Sequence, residues 1–489
     1  MNWGSVAGVE MSFGLLLWLG LLIYWAAVIV MVIASDREPS TTLAWILVLL
    51  LFPGFGIIFY FFAGRDWRGW LAKQPVGRKW MSIRVPFMDK QYAPWQQFSA
   101  RKMDEYVGTP VEGVARSIIK SQLAPLLPAT SMDIYASGEE YFPVWIDDLA
   151  GAKDFIHLQY FIWEYDELTA KVTTVLHDRL KAGVEVRMLN DYLGCLPYKK
   201  DEMKRLKEAG AQILADMTQI GRLNYRNHRK ITVIDGEIGH SGGFNIGQEY
   251  IDGGKKYPAW RDTGIRMTGP IVADLSKLFA DRWYEVEKVS LCQERYFPRH
   301  DIELPDDVIA AQIVAHGVED YWESARRTHA VAISSARERV WLQSPYFVPD
   351  QGTYDAMINA ALAGRDVRLM MTEWPDHKLA WRAAESYYKP LLSAGGRIFR
   401  WKPGFFHAKT LTIDGIASAI GTMNLDTRSL KLHKELMVWA YDEGVARRCE
   451  EIFEADMADC REITLEEVLE WGTTYRFVNS AARLTSNMV

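Results

Sequence analysis

The chain is expected to be an α/β protein made of two copies of one domain behind an apolar N-terminal segment, and three observations lead there. His228-Arg229-Lys230, Asp235 and Gly242-Gly243-Phe244-Asn245 return as His407-Ala408-Lys409, Asp414 and Gly421-Thr422-Met423-Asn424, each shared residue 179 positions later. Apolar runs alternate with amphipathic stretches through both halves of the chain beyond Thr109. Met11 to Ala34 is almost wholly Leu, Ile, Val, Trp, Ala and Met.

That first run, about 11–34, has the length of a bilayer span, and it lacks the basic start and small-residue cleavage site of a secretory leader. A second run, 43–63, is interrupted by Pro53, Gly54 and Gly56 and reads as a kinked span or a re-entrant hairpin. Residues 36–40 form a polar turn between the two, so residues 1–70 are expected to be a membrane hairpin. Arg65, Arg68, Lys73, Arg78 and Lys79 follow, and the positive-inside rule puts the remainder on the cytoplasmic face. Residues 83–106 mix proline, glutamine and aromatic residues with little periodicity, so 71–108 is expected to be a linker at the membrane surface. The two domains then occupy 109–300 and 301–489.

With 489 residues, 49% of them hydrophobic, the chain can bury large cores. A net charge of −6 argues against a nucleic-acid partner, which usually demands a basic excess or stripe. Cys195, Cys292, Cys449 and Cys460 are scattered without CxxC spacing and read as free thiols in a reducing compartment. No zinc-binding cluster stands out among the ten histidines.

In the first half, Phe155 to Phe161 reads as a strand, Ala170 to Ala182 as a helix and Val184 to Leu189 as a strand. The second half offers Val340 to Val348, Tyr354 to Ala363 and Val367 to Met371 in the same order. Gly183-Val184-Glu185-Val186-Arg187 matches Gly364-Arg365-Asp366-Val367-Arg368, and Ala209-Gly210 matches Ala394-Gly395. Each motif then lies on a strand, Lys230 to Asp235 or Lys409 to Asp414, closed by an Asp-Gly turn.

Residues two apart on a strand share a face, so His228 and Lys230 point together, as do His407 and Lys409. Asp235 and Asp414 belong to the candidate catalytic motifs, yet their place at the turn suits them to capping backbone rather than touching substrate. Asn245 and Asn424 add neutral donors, and the neighbouring glycines let backbone approach a ligand. Such a set suits a phosphodiester. Lysines and asparagines hold the non-bridging oxygens, one neutral imidazole attacks phosphorus, and the other, protonated, serves the leaving oxygen. Four protein donors take the place of a metal, so no metal and no cofactor are expected. One neutral and one charged imidazole imply a bell-shaped pH profile with limbs either side of neutrality.

The paired motifs resemble those of the phospholipase D superfamily and, within it, the bacterial cardiolipin synthases. The likeness extends to Asn227-His228-Arg229-Lys230-Ile231, Trp260-Arg261-Asp262-Thr263, Pro345-Tyr346-Phe347-Val348-Pro349, Phe406-His407-Ala408-Lys409 and the hairpin around Ala44-Trp45-Ile46-Leu47. It covers nearly the whole chain. It implies two phospholipase D-like α/β sandwich domains about a pseudo-twofold axis, preceded by a transmembrane helical hairpin in the bacterial inner membrane. It also implies phosphatidyl transfer between two phosphatidylglycerol molecules, giving cardiolipin and glycerol through a phosphohistidine.

The resemblance further assigns Asp262 and Glu435 to orient the histidines, His228 as nucleophile, His407 as general acid/base, and Thr422 as a hydroxyl where serine is common. Membrane lipid is the implied partner, with a homo-oligomer possible and nucleic acid not expected. Competing readings are a phospholipase D-type hydrolase or membrane-tethered nuclease, a phosphatidyltransferase using another lipid acceptor, and a catalytically idle membrane scaffold. Tyr346 and Glu249 are considered as pocket residues, against the plainer readings of core aromatic and loop acid.

Overall fold

The computed structural model describes residues 13–34, 39–52, 54–60, 64, 75–195, 200–216, 225–298, 308–317 and 320–484. The chain divides into a small unit, residues 1–69 with 219–223, and a large unit holding the rest.

In the small unit, Phe13–Ile33 and Pro39–Leu51 are helices without a charged residue, and Phe55–Phe59 is a shorter third. The second apolar run is therefore broken. Gly54 turns at a φ of 90°, and Gly56 lies so close to the preceding helix that an added Cβ would come within 3.1 Å of the Val48 carbonyl oxygen. Val28, Val32, Leu49 and Tyr60 form a small buried cluster, while Leu22, Ile23, Val30, Leu47 and Phe55 face outward. Counted over the described residues, no helix is long and apolar enough to cross a membrane. Pro53, the turn residues 36–38 and the basic Arg65, Arg68 and Lys73 lie outside the described residues.

The large unit contains the duplication. Seven strands of the first half lie in the order Ser131–Tyr135, Gly264–Thr268, Ile238–Gly242, Ile231–Ile234, Phe155–Tyr160, Glu185–Asp191, Gln212–Asp216. The second half repeats this order as Ile309–His316, Glu435–Tyr441, Ala417–Gly421, Thr410–Ile413, Arg339–Gln343, Asp366–Thr372, Arg397–Trp401, and adds Leu127–Ala129 and Cys460–Ile463 at its two edges. The strands at one end run parallel because helices return the chain between them. Two of these helices are Glu167–Lys181, opened by an Asp166 capping box, and Gln351–Leu362, capped by Asp350. One apolar cluster joins the halves, placing Ile265, Met267 and Val272 with Ile313, Leu436 and Val438.

Two expectations change here. Residues 71–108, read as a linker, are largely helical, as Pro75–Tyr92 and Gln96–Glu105. The first of these packs on the helix Val272–Glu287: Trp80 stacks on Tyr284 at 4.3 Å and donates to Asp281 at 2.7 Å, and Tyr92 meets Asp274 and Lys277. The stretch after Thr109 also joins the second half before the first, since Leu127–Ala129 pairs with Ile309–His316 and the helix Val111–Gln122 packs in that half's core. The four cysteines carry free thiols.

Candidate active site

Each motif begins just before a strand and ends in the turn after it. Asp235 and Asp414 take positive φ angles of 55° and 52°, followed by Gly236 and Gly415 at 69° and 66°. This is the Asp-Gly hairpin turn that needs two left-handed residues. It aims each carboxylate back across the sheet. Asp235 accepts from the backbone N–H groups of Lys153, Asp154 and Phe155, each at 2.8 Å, and Asp414 accepts in the same way from Arg337, Glu338 and Arg339. Both are thus positioning residues, which lock the motif strand to its neighbour and do not reach the histidines.

At the other end of the strands the halves cross. The backbone N–H of His228 donates to the Lys434 carbonyl at 2.9 Å, and that of His407 to the Arg261 carbonyl at 2.7 Å. The next residue in each partner segment is the acid expected behind the histidine. His228 Nδ1 lies 3.0 Å from Glu435 Oε2, and His407 Nδ1 lies 2.6 Å from Asp262 Oδ2. Each imidazole is therefore oriented by a carboxylate from the opposite half. An ionised carboxylate only accepts, so Nδ1 carries the proton and Nε2 keeps its lone pair. Neither Nε2 bonds a described residue.

Lys230 and Lys409, each 1% exposed, donate to the carbonyl oxygens of His228 and His407 in turn, the first at 2.8 Å. Asn245 is held by the Ile162 N–H and by Tyr250, whereas the buried Asn424 carbonyl has no partner among the described residues. Thr422 donates to Glu435 Oε2 at 2.5 Å and accepts from the Leu436 N–H at 3.0 Å. Gly243 occupies the matching place in the first half, where a Cβ would come within 1.9 Å of Asp262 Oδ1.

Burial shapes the electrostatics. His228 is held well below the usual imidazole value by burial and then by the charges of Lys230 and Lys409, and His407 falls to about 4 from burial and the Lys409 charge. Lys230 is pushed down to about 7 and Lys409 to about 8, chiefly by burial. The two acids diverge. Burial raises Glu435, while for Asp262 the Lys409 and His407 charges and hydrogen bonds outweigh burial and hold it below the carboxylate norm.

Sequence reasoning considered Tyr346 and Glu249 as pocket residues and gave His433, among the groups around this centre, no role. Phe161 meets the His228 ring edge-on at 4.8 Å, and Trp260 packs 5.4 Å from His407. His433, given no role from sequence, has its ring 6.1 Å from that of His228. Tyr346 donates to Asp376 at the edge of a small cleft, and Glu249 is half-buried with its carboxyl raised by burial. Aromatic and basic residues are too common for spacing to single these out; only folding shows what they touch.

The fold brings together two histidines, each backed by a carboxylate from the opposite half. The family described as cardiolipin synthase, PLD-like domain, matches residues 145–257 and 330–457, and a phospholipase D-nuclease N-terminal family matches 20–65. The major cardiolipin synthase ClsA of Bacillus subtilis is 33% identical over 469 residues, covering 94% of this chain and 95% of that one. A cardiolipin synthase of Listeria monocytogenes is 31% identical over 489 residues, covering 97% and 99%. Among solved structures, phosphatidylserine synthase from Haemophilus influenzae superposes with a TM-score of 0.58 at 14% identity, over 77% of this chain and all of that one, a likeness of fold. The chain belongs to the cardiolipin synthase family of the phospholipase D superfamily.

Proposed function

We propose that the protein is a cardiolipin synthase that moves a phosphatidyl group from one phosphatidylglycerol to another. The observation that carries this reading is the crossed arrangement of His228 with Glu435 and His407 with Asp262, set beside two buried lysines. Neutral His228 attacks phosphorus through Nε2, and the bond to the glycerol oxygen breaks as His407 supplies its proton. The primary hydroxyl of a second phosphatidylglycerol then gives its proton to His407 and attacks the phosphohistidine. Cardiolipin is released, and His228 is free again. One phosphodiester replaces another, so the exchange is nearly isoenergetic and runs backward with added glycerol. Lys230, Lys409 and Asn424 face the charge that builds on the phosphoryl oxygens.

The unequal surroundings of the two histidines support the division of labour. Asp262, held below the carboxylate norm, stabilises an imidazolium at His407, as an acid/base needs, while burial and the Lys230 and Lys409 charges keep His228 neutral and free to attack. The anionic substrate favours the protonated state of His407 when it binds.

Membrane attachment fits the same substrate. The helix Phe13–Ile33 carries no charged residue and exposes Leu22, Ile23 and Val30, an apolar surface that supports association with lipid. The broken second run suits a re-entrant segment or a second crossing, with the basic residues after it on the cytoplasmic side.

The test is purified protein in liposomes with phosphatidylglycerol as the only lipid, following cardiolipin and glycerol together beside His407→Ala. Equimolar products, lost in the variant, are expected. Phosphatidic acid instead would make the protein a hydrolase, and a requirement for phosphatidylethanolamine would move it to another lipid specificity.

A further inference from the structure

The histidines, lysines and asparagines repeat at 179 positions, but the same offset sets Arg428 opposite Glu249. One pseudo-equivalent place is therefore basic and the other acidic. Glu249 stands beside Glu164, whose carboxyl is raised by burial and then by the Glu249 charge, and next to Tyr250. The Tyr250 ring packs 4.9 Å from Trp260, which packs on His407. The acidic side thus belongs to the general acid/base.

Arg428 belongs to the other side. Its carbonyl accepts from the His433 N–H at 2.9 Å, and the His433 ring lies 6.1 Å from His228. The Arg226 guanidinium sits 4.1 Å over the Phe161 ring, whose edge meets His228, and the Arg226 carbonyl accepts from the Lys434 N–H at 2.9 Å. Arg226 is paired with Asp191. Arg428 is not paired with any described residue, and the neighbouring Asp426 caps the Ser429 N–H at 2.9 Å. The His433 Nε2 is buried without a partner among the described residues. Burial and the Arg226 charge hold the Arg428 guanidinium below its usual value, against the pull of Asp426. His433 Nδ1 lies 3.9 Å from Glu435 Oε1, so its Nε2, with the half-buried Arg428 and Arg226 beside it, is the edge that suits an anion.

The phosphoryl group under attack already has Lys230 and Lys409. An accepting phosphatidylglycerol brings a second phosphodiester, three carbons away from its attacking hydroxyl, that does not react. We propose that Arg428, with His433 and Arg226 beside it, binds the acceptor lipid's own phosphate and so selects a phospholipid over water or a neutral alcohol as acceptor. This rests on the phosphatidyl-transfer reading above.

The test compares the full-length protein with Arg428→Gln and Arg428→Lys in phosphatidylglycerol vesicles, using three acceptors. They are the lipid itself, read as cardiolipin; glycerophosphoglycerol, which keeps the phosphate and lacks the chains; and labelled glycerol, which has no phosphate and is read as headgroup exchange. Loss of one charge-assisted contact predicts that Arg428→Gln lowers transfer to both phosphate-bearing acceptors about tenfold or more, mostly through KM, with glycerol exchange changed less than about twofold. Arg428→Lys should fall between. Equal loss for all three acceptors, or no loss for any, overturns the proposal. A loss confined to the intact lipid also overturns it, because the arginine would then be reading the chains. Wild-type protein that exchanges glycerol but forms no cardiolipin would instead sink the transfer reading itself.

Discussion

Set side by side, the two halves of the site share their reacting groups and differ in what stands behind them. The first half has Gly243 and a short acid, Asp262; the second has Thr422 and a longer acid, Glu435. Glycine is required where Asp262 closes on the backbone, and the threonine hydroxyl reaches the Glu435 carboxylate. Because each acid serves the opposite half's histidine, this small difference makes two similar imidazoles unequal. Duplication supplied two histidines; the proposed division into one nucleophile and one acid/base draws on the divergence behind them.

Removing each histidine breaks the comparison most directly. His228→Ala should abolish turnover on every substrate. His407→Ala should lose about 10²- to 10⁴-fold with phosphatidylglycerol but recover much of that with a phosphatidyl ester whose leaving group needs no proton. A rescue of similar size in both variants would show the two roles to be shared.

The orienting acids come next. Asp262→Asn and Glu435→Gln keep the shape and lose the charge, and each is expected to lower kcat by about 10²-fold or more in steady-state assays. The acid/base step should be the one lost in Asp262→Asn, so activated leaving groups should rescue it more than Glu435→Gln.

These acids also mark how far the sequence could be read. The motif strands and their Asp-Gly turns were legible because they depend on residues close along the chain. The matched strand order followed from the repeat. The crossing was not legible, since His228 and Glu435 lie 207 positions apart and His407 and Asp262 lie 145 apart; family likeness alone pointed to them. The helix Pro75–Tyr92 was missed for another reason. Pro86 and its mixed composition blur any apolar stripe, and it is anchored through Trp80 and Tyr92 to partners some 180 to 200 residues away. The short strand Leu127–Ala129 carries too few residues for a periodic signal.

A smaller effect sharpens the picture through pH. A lysine is charged below its pKa, so the charge that Lys230 and Lys409 offer the phosphoryl group is present at acid pH and lost as pH rises through about 7 and 8. For the free enzyme, kcat/KM should fall across that range, and the acid limb belongs to His228, whose protonation stops the attack and which burial and the Lys230 and Lys409 charges hold well below the usual imidazole value. The bell is therefore expected to sit lower than ordinary imidazoles would place it. An acid limb near the unperturbed histidine value in a kcat/KM profile would contradict the burial argument.

The smallest catalytic effects belong to supporting residues. Asp235→Ala and Asp414→Ala each leave three backbone N–H groups without their acceptor, so each should cost about 1–3 kcal/mol or more in denaturant unfolding. The pH limbs should not move. Thr422→Ser keeps the hydroxyl and should be nearly neutral, whereas Thr422→Val should raise the Glu435 carboxyl further.

The most direct measurement is to quench the wild-type enzyme during turnover of phosphatidylglycerol under alkaline, denaturing conditions that preserve phosphohistidine, and map the modified peptide by mass spectrometry. The account predicts the phosphatidyl group on His228 and none on His407. Modification of His407, or of both to a similar extent, would contradict it.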